Sequence, residues 1–201
     1  MHPAAALKSK LRKATLAGRD AMDEAFRIEL SLHAAQHALE SGPLSPGQLT
    51  AGTIISGFLP IRSEIDPRPL LFGLAQRGAR LCLPVVTSKT KIEFREFVRD
   101  APLLASGFGT IGPDENAKVL DPKIMIVPLS VFDDRGGRIG YGAGYYDRAI
   151  AKLIDQDISP RLIGMGFGLQ EADSVPMEPH DHFLHDVVTE TGYRQFNRLA
   201  I

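Results

Sequence analysis

Short apolar runs alternate with helical segments along most of the chain, and this alternation limits the fold more than any other feature. The runs TIISGFL, RLCLPVV, KIMIVPLSVF, RLIGMGF and DVVTET predict strands, while residues 67 to 77 and 146 to 155 predict helices. Such alternation is typical of a mostly parallel sheet covered by helices. The sequence therefore predicts an α/β fold, a three-layer Rossmann-like sandwich with helices flanking the sheet.

The N-terminal forty residues predict two further helices, over residues 4 to 17 and 21 to 40. Both segments are rich in Ala, Leu, Lys, Arg and Glu, and Met22, Phe26 and Leu30 recur at helical spacing. The run IEFREFV alternates apolar and charged residues, which predicts a half-exposed strand near a sheet edge. Residues 101 to 120 show no clear pattern.

Length and charge limit the classes of partner. At 201 residues the chain predicts one domain spanning residues 1 to 201, and we expect a monomer. Its 23 Lys and Arg residues nearly balance 24 Asp and Glu residues, giving a formal net charge of −1. No overall field would gather nucleic acid or an anionic membrane, so we expect neither partner. Any anion must be bound locally.

The N-terminus and the cysteine content indicate the compartment. Basic residues interrupt the start MHPAAALKSKLRKA, which therefore offers neither a signal-peptide core nor a membrane span. A single cysteine, Cys82, rules out a disulfide framework, and its apolar neighbours predict a small buried hydrophobe. We expect a cytoplasmic protein.

A glycine-rich segment between a predicted strand and a predicted helix carries most of the functional information. Gly140, Gly142 and Gly144 allow backbone conformations closed to other residues and remove Cβ atoms that would keep a phosphate from the backbone amides. The following helix points its N-terminal amides toward the same place. Arg138 can bind a phosphate and Asp147 can hold a cation beside it. The segment predicts a nucleotide site.

Other interpretations of the glycine segment remain open at this point. The segment has no G-x-x-x-x-G-K-[ST] string and fails the dinucleotide fingerprint, because Tyr145 and Asp147 stand where a third glycine is needed. A glycine-rich turn is often purely structural. An acid such as Asp147 in the first turn of a helix is stabilised by the helix dipole without any metal.

The string R-x-G-x-G-x-G-Y-Y-D, from Arg138 to Asp147, resembles the signature of the 5-formyltetrahydrofolate cyclo-ligase family, also called methenyltetrahydrofolate synthetases. The segments FLPIRSEID, GARLCLPVV, FDDRG and EPHDHFLHDVVTE resemble family segments in the same order. The resemblance implies ATP-dependent cyclisation of 5-formyltetrahydrofolate to 5,10-methenyltetrahydrofolate through a phosphorylated formyl intermediate, with release of ADP and phosphate. It implies ATP and Mg²⁺ as cofactors and small molecules as substrates.

The resemblance also assigns the phosphate and metal ligands. Lys8 and Arg12 match a family lysine and arginine that hold ATP phosphates, and at i and i+4 they share one helix face. A solvated basic face is the alternative for this pair. Catalytic roles fall on Arg138, Tyr145 and Asp147, with Asp147 also the metal ligand. The remaining implied ATP contacts run through the loop, at Ile139, Gly140, Tyr141, Gly142, Ala143, Gly144, Tyr145 and Tyr146, together with Arg138.

Substrate contacts follow from the same resemblance. Glu64 matches a glutamate that binds the pterin end of folate, where a carboxylate accepts hydrogen bonds from an aminopyrimidine edge. Leu59 would pack against the ring, or it is simply a core leucine. Tyr146 has a similar alternative, as a core residue whose hydroxyl is satisfied. The implied loop contacts to substrate are Tyr141, Gly142, Ala143, Gly144 and Tyr145.

The C-terminal segment departs from the family pattern. His185 stands where many members carry a magnesium-linked aspartate, and Asp186 follows it. The cluster of His180, His182 and His185 with Asp181 and Asp186 invites a zinc site, but the spacing matches no zinc signature, so we set that interpretation aside. Two other functions remain open: a nucleotide- or folate-binding module without turnover, and a sugar-phosphate isomerase-like enzyme suggested only by fold analogy.

Overall fold

The computed structural model describes residues 3–197, which contain four helices and eleven strands. The helices are α1 (Pro3–Asp20), α2 (Glu24–Glu40), α3 (Arg68–Gln76) and α4 (Tyr145–Asp155). The strands are β1 (Ile54–Ser56), β2 (Arg80–Val86), β3 (Ile92–Glu96), β4 (Leu103–Ala105), β5 (Ile111–Pro113), β6 (Ile124–Pro128), β7 (Val131–Phe132), β8 (Arg138–Ile139), β9 (Arg161–Met165), β10 (Asp186–Thr189) and β11 (Gly192–Gln195).

Seven strands form one mixed sheet in the order β11-β10-β9-β6-β1-β2-β3. The five inner strands are parallel, and β3 and β11 close the two edges in antiparallel pairing. The predicted α/β fold with a mostly parallel sheet is confirmed, as is the edge position of the IEFREFV strand. The strand order changes direction between β1 and β6, which is where open α/β sheets bind ligands, beyond the carboxyl ends of the strands.

Helices cover both faces of the sheet and create the three layers. Along β6, Ile124 and Ile126 join the core beneath α2 and α3, whereas Met125 and Val127 join the core beneath α4. This alternation follows from the two-residue period of a strand. A strand buried on both faces reads as a continuous apolar run, which explains the sequence IMIVP.

Helix α1 lies against the hairpin formed by β7 and β8 and against the 3₁₀ turn Gly168–Gln170. Its Leu11 packs on a small cluster of Val131, Ile139 and Val175. This packing fixes one face of α1 close to the segment that joins β8 to α4. Within residues 3–197, no helix is both long and apolar enough to cross a membrane.

Several element boundaries differ from the sequence prediction. Helix α2 begins at Glu24 rather than at residue 21, because the side chain of Asp23 caps it by accepting hydrogen bonds from the amides of Ala25 and Phe26. The run KIMIVPLSVF divides into β6 and β7. Helix α4 begins at Tyr145, one residue earlier than predicted. Residues 101 to 120 contain the short hairpin of β4 and β5.

Asp186 is a structural residue at the start of β10. Its side chain is fully buried and accepts hydrogen bonds from Arg161 Nε at 2.7 Å, from Arg161 Nη2 at 2.9 Å and from the Tyr193 hydroxyl. Burial and the hydrogen bond to Asp186 raise the pKa of Tyr193 to about 12. Asp186 therefore joins β9, β10 and β11. Next to it, His185 Nδ1 accepts a hydrogen bond from the Leu162 amide at 2.9 Å.

We predict that Asp186→Asn lowers the free energy of unfolding by about 3 kcal/mol, because it leaves Arg161 without its carboxylate partner in a buried network. Denaturant unfolding followed by circular dichroism measures the change. The control is Asp173→Asn, which alters an exposed carboxylate. An unfolding midpoint equal to that of the control would show that the network does not stabilise the sheet.

Candidate active site

Three cations lie on the inward face of α1. At about 100° per residue, Lys8, Arg12 and Arg19 fall within an arc of about 40°. Arg19 is only 1% exposed, and the side chain of Lys8 is 13% exposed. Lys10 and Lys13 on the other faces are exposed. A solvated basic face therefore does not describe the stripe formed by Lys8, Arg12 and Arg19, because its charges point into the protein.

Arg12 meets the glycine loop directly. Its Nε donates a hydrogen bond to the Gly140 carbonyl at 2.7 Å, and a Cβ atom placed on Gly142 would lie 3.3 Å from Arg12 Nη2. Burial lowers the pKa of Arg12. Among residues 3–197, no carboxylate lies within ion-pairing distance of this guanidinium. Arg12 thus presents an uncompensated positive charge at the loop.

The loop between β8 and α4 has the geometry of an anion site. Gly142 has φ +96° and Gly144 has φ +66°, both in the left-handed region that favours glycine. Gly144 occupies the N-cap of α4 without any capping side chain, so no side chain competes for the first helical amides. Gly140 differs, because its φ is not positive and a Cβ there would meet nothing within 4 Å. The expectation that its backbone requires glycine is therefore wrong.

Arg138 and Asp147 form an ion pair at the start of α4. Arg138 Nη2 donates to Asp147 Oδ1 at 2.6 Å, and the same oxygen accepts a longer hydrogen bond of 3.3 Å from the His182 amide. The Arg138 side chain is 4% exposed, and its buried Nε has no partner within the described part of the chain. The predicted phosphate ligand and the predicted metal ligand thus lie side by side.

Lys8 is held by two carboxylates that the sequence analysis did not connect with it. Its Nζ donates to Glu178 Oε2 at 2.7 Å and to Asp181 Oδ2 at 2.5 Å. Burial lowers the pKa of Lys8, but the hydrogen bonds and charges of Asp181 and Glu178 outweigh it, and the pKa is raised. Lys8 would have to exchange these partners to contact a phosphate. No motif in the sequence pointed to these ion pairs, because Lys8 lies 170 positions from Glu178 and 173 from Asp181.

Glu64 lies beside the glycine loop, beyond the carboxyl end of β1. It is 9% exposed, and its Oε2 accepts a hydrogen bond from the Ile61 amide at 2.9 Å. Burial raises the pKa of Glu64, against the opposing effects of the Ile61 amide, the charge of Arg19 and a hydrogen bond with Tyr141. Leu59 is half-buried and packs against the core beneath α2 and α3.

Arg19 links α1 to both Tyr141 and the segment before Glu64. Its Nη2 donates to the Tyr141 hydroxyl at 2.7 Å, and its Nε donates to Ser63 Oγ at 3.0 Å. The guanidinium carbon lies 5.9 Å from the centre of the Tyr141 ring. The Ser63 hydroxyl donates to Asp20. The sequence analysis missed Arg19, although its position eleven residues after Lys8 extends the same helix face.

The two tyrosines at the start of α4 have different environments. The Tyr145 hydroxyl donates to the Ser88 carbonyl at 3.3 Å, and the Arg148 guanidinium lies 5.4 Å from its ring centre. Arg148 also donates to the Ala143 carbonyl at 2.8 Å. The Tyr146 hydroxyl is buried without a partner among the described residues, and burial raises its pKa. A core tyrosine with a satisfied hydroxyl does not describe Tyr146.

Direct contacts join some of the predicted site residues, whereas Lys8 and Tyr145 contact residues outside the predicted set. Arg12 contacts the loop at Gly140, Tyr141 connects Arg19 to Glu64, and Arg138 contacts Asp147. Leu59 packs against the hydrophobic core and, within residues 3–197, makes no polar contact with the other site residues. Asp186 is buried and bound to Arg161 and Tyr193.

Comparisons with known proteins identify the family that this chain resembles. The model of the 5-formyltetrahydrofolate cyclo-ligase family matches residues 4–190. The chain is 29% identical over 191 residues to the 5-formyltetrahydrofolate cyclo-ligase of Mycolicibacterium smegmatis, covering 90% of this chain and 93% of the relative. The corresponding enzyme of Haemophilus influenzae is 26% identical over 165 residues, covering 79% of this chain and 87% of the relative.

Two solved structures of methenyltetrahydrofolate synthetases share the fold of this chain. The 5,10-methenyltetrahydrofolate synthetase of Aquifex aeolicus superposes with a TM-score of 0.77 at 28% identity, covering 97% of this chain and 95% of that one. The synthetase of Mycoplasma pneumoniae, at 23% identity, shares the fold with a TM-score of 0.71 over 91% of this chain and 98% of that one. The chain therefore belongs to the 5-formyltetrahydrofolate cyclo-ligase family.

Proposed function

We propose that this protein catalyses the ATP-dependent cyclisation of 5-formyltetrahydrofolate to 5,10-methenyltetrahydrofolate, with release of ADP and phosphate. The observation that carries the proposal is the unpaired guanidinium of Arg12 on the glycine loop, within the same contact network as the buried carboxylate of Glu64. A cation and uncapped helical amides favour phosphate, while a buried carboxylate favours the hydrogen-bond donors of an aminopyrimidine. Each of the other site residues supports either the binding of ATP phosphates or the binding of the folate.

The chemistry explains why the site must bind both ATP and the folate. A formyl oxygen is a poor leaving group, so its attack on the γ-phosphorus of ATP, with departure of ADP, would convert it into a phosphate ester. Nitrogen 10 of the same folate then attacks the formyl carbon and loses its proton, while the carbon–oxygen bond breaks and phosphate leaves with that oxygen. The atoms balance without a protein nucleophile. The protein's task is to position the reactants and stabilise the phosphoryl charge.

The phosphate side of the site would be built by Arg12, Arg138 and the loop backbone. Arg12 brings its charge from α1, and the left-handed conformations of Gly142 and Gly144 shape the backbone that leads into α4. Arg138 keeps a buried Nε donor that has no partner in the described residues. An unsatisfied buried donor costs about 1–3 kcal/mol, and a bound phosphate oxygen would remove that cost.

Lys8 can join the phosphate ligands only by exchanging its partners. Its ion pairs with Glu178 and Asp181 neutralise it in this structure. A nucleotide phosphate carries more negative charge than either carboxylate, so it can compete for the Nζ donors. This arrangement also supports a second candidate function, a folate- or nucleotide-binding module without turnover, since a permanently paired Lys8 could not assist phosphoryl transfer.

The donor set suits a magnesium ion held mainly by phosphate oxygens and water. Within residues 3–197, no group of three or more His, Cys, Asp or Glu side chains could enclose a metal. Magnesium commonly uses one or two carboxylates together with substrate phosphates, and Asp147 offers one carboxylate next to Arg138. When bound, the ion would neutralise charge on the transferred phosphoryl group.

The decisive assay combines purified protein, 5-formyltetrahydrofolate and Mg-ATP, and follows methenyl absorbance and phosphate release together. We predict equimolar formation of methenyl product and phosphate, because one ATP is used for each ring closed. A folded protein that binds both ligands but forms neither product would instead be a binding module. A protein that binds neither ligand would contradict both functions.

We predict that Gly142→Ala weakens ATP binding at least tenfold, about 1.4 kcal/mol, because the new Cβ would crowd the guanidinium of Arg12 and the phosphate approach. The control is Gly52→Ala, at a glycine with φ +82° whose Cβ would meet nothing within 4 Å. Both variants should lose about 1–2 kcal/mol of stability through backbone strain. Calorimetric titration with ATP separates them, and equal ATP affinities would show that the loop is only a turn.

We predict that Asp147→Asn lowers kcat about 100-fold, roughly 2.7 kcal/mol of barrier, and raises the magnesium concentration needed for half-maximal rate. The amide keeps an oxygen for Arg138 and the His182 amide but loses the charge that attracts the ion. The control on the same helix is Asp155→Asn, at an exposed position. Magnesium titrations of the two variants, with their melting temperatures, provide the comparison. Near-normal turnover in folded Asp147→Asn would remove Asp147 from the metal site.

A further inference from the structure

Arg19 is a buried cation whose direct partners are neutral. It is 1% exposed, and no carboxylate in residues 3–197 lies within ion-pairing distance of it. Its two assigned hydrogen bonds go to the hydroxyl groups of Ser63 and Tyr141. Charged residues are almost never fully buried unless they are paired, because desolvation is costly. The position of Arg19 therefore needs a compensating charge at longer range.

Two carboxylates lie close enough to supply that charge: Asp20, which accepts a hydrogen bond from the Ser63 hydroxyl that Arg19 contacts, and the buried Glu64 next to Ser63. The positive charge of Arg19 helps to lower the pKa of Glu64 against the rise that burial causes. Three other groups face this carboxylate: Tyr141 from the glycine loop, Arg62 from its own segment and Tyr146 from α4. Tyr141 interacts with both Arg19 and Glu64. Arg19 and Glu64 thus act as a buried charge pair, with the Tyr141 hydroxyl interacting with both.

We propose that Arg19 is a positioning residue for the pterin end of the substrate: it fixes the Tyr141 hydroxyl and balances the charge of Glu64, so that both groups meet an aminopyrimidine ring in a fixed arrangement. The inference rests on the proposed function. Tyr141 is 36% exposed and can touch a ligand, whereas the buried Arg19 acts through its neighbours. Fixed donors and acceptors bind more tightly because less freedom is lost on binding.

A purely structural role for Arg19 would have different consequences. Arg19 and Ser63 tie α1 to the segment after β1, so losing this tie could simply loosen the protein. A general loosening would weaken folate and ATP binding together and would leave the pH dependence of folate binding unchanged. A positioning role affects the folate alone and shifts that pH dependence.

The experiment compares Arg19→Met, Arg19→Lys and the control Lys10→Met, which removes a positive charge from an exposed position of the same helix. Calorimetry measures 5-formyltetrahydrofolate binding without ATP, and Mg-ATP binding without folate. We expect Arg19→Met to weaken folate binding at least tenfold, about 1.4 kcal/mol, with ATP affinity changed less than about twofold. Arg19→Lys keeps the charge but lacks the planar fork that contacts both Ser63 and Tyr141, so it should recover only part of the lost affinity, falling between Arg19→Met and the wild type.

The pH dependence has a definite sign. Removing the charge of Arg19 destabilises ionised Glu64, so the pKa of Glu64 rises further in Arg19→Met. The ionised form accepts hydrogen bonds from the ligand and is lost as the pH falls through that pKa. Folate affinity should therefore begin to fall at a higher pH in Arg19→Met than in the wild type or in Lys10→Met.

Four results would overturn the inference. Unchanged folate affinity in folded Arg19→Met would do so, as would parallel losses of folate and ATP affinity with no change in the pH dependence. If Arg19→Met does not fold, Arg19→Lys and Tyr141→Phe take its place, and a double-mutant cycle with no coupling between them in folate binding contradicts the proposal. A wild-type protein that binds no folate would instead overturn the proposed function itself, and the inference with it.

Discussion

The contact between α1 and the glycine loop is the constraint on which the rest of the site depends. Arg12 Nε donates to the Gly140 carbonyl, and Leu11 packs on the cluster beneath the β7–β8 hairpin. These neighbouring contacts place the charged stripe of α1 over the loop, near the carboxyl ends of the central strands, where the strand order reverses. Without this docking, the cations of α1 would face water and the loop would be an ordinary turn before a helix.

The cations of the site divide into those in direct ion pairs and those without a direct ion pair. Lys8 and Arg138 are paired with carboxylates that a ligand or a metal ion can displace or share. Arg12 and Arg19 have no carboxylate within ion-pairing distance among the described residues. A site with this division favours anionic ligands without carrying a large net charge, which fits a chain whose formal charge is only −1. The same local balance leaves Glu64 as the acceptor on the folate side.

The fold follows from the sequence to a large extent because its signals are local. A strand buried on both faces gives a continuous apolar run, as in RLCLPVV, which forms β2 with the expected boundaries. The edge strand β3 was recognisable from its alternation of apolar and charged residues. Strand β11 was not, because a short polar edge strand carries no apolar run and forms only by pairing with β10. The N-cap Asp23 also escaped notice, and it sets where α2 begins.

The sequence by itself determined the α/β class, the glycine loop and the group of residues from Arg138 to Asp147, because these lie close together along the chain and repeat a recognisable string. Only the tertiary structure decided how the charges are paired: Lys8 with Glu178 and Asp181, Asp186 with Arg161, and Arg19 with Tyr141. Each of these contacts joins residues 25 to 173 positions apart. A pairing between distant side chains depends on how helices and strands pack, and no local pattern records it.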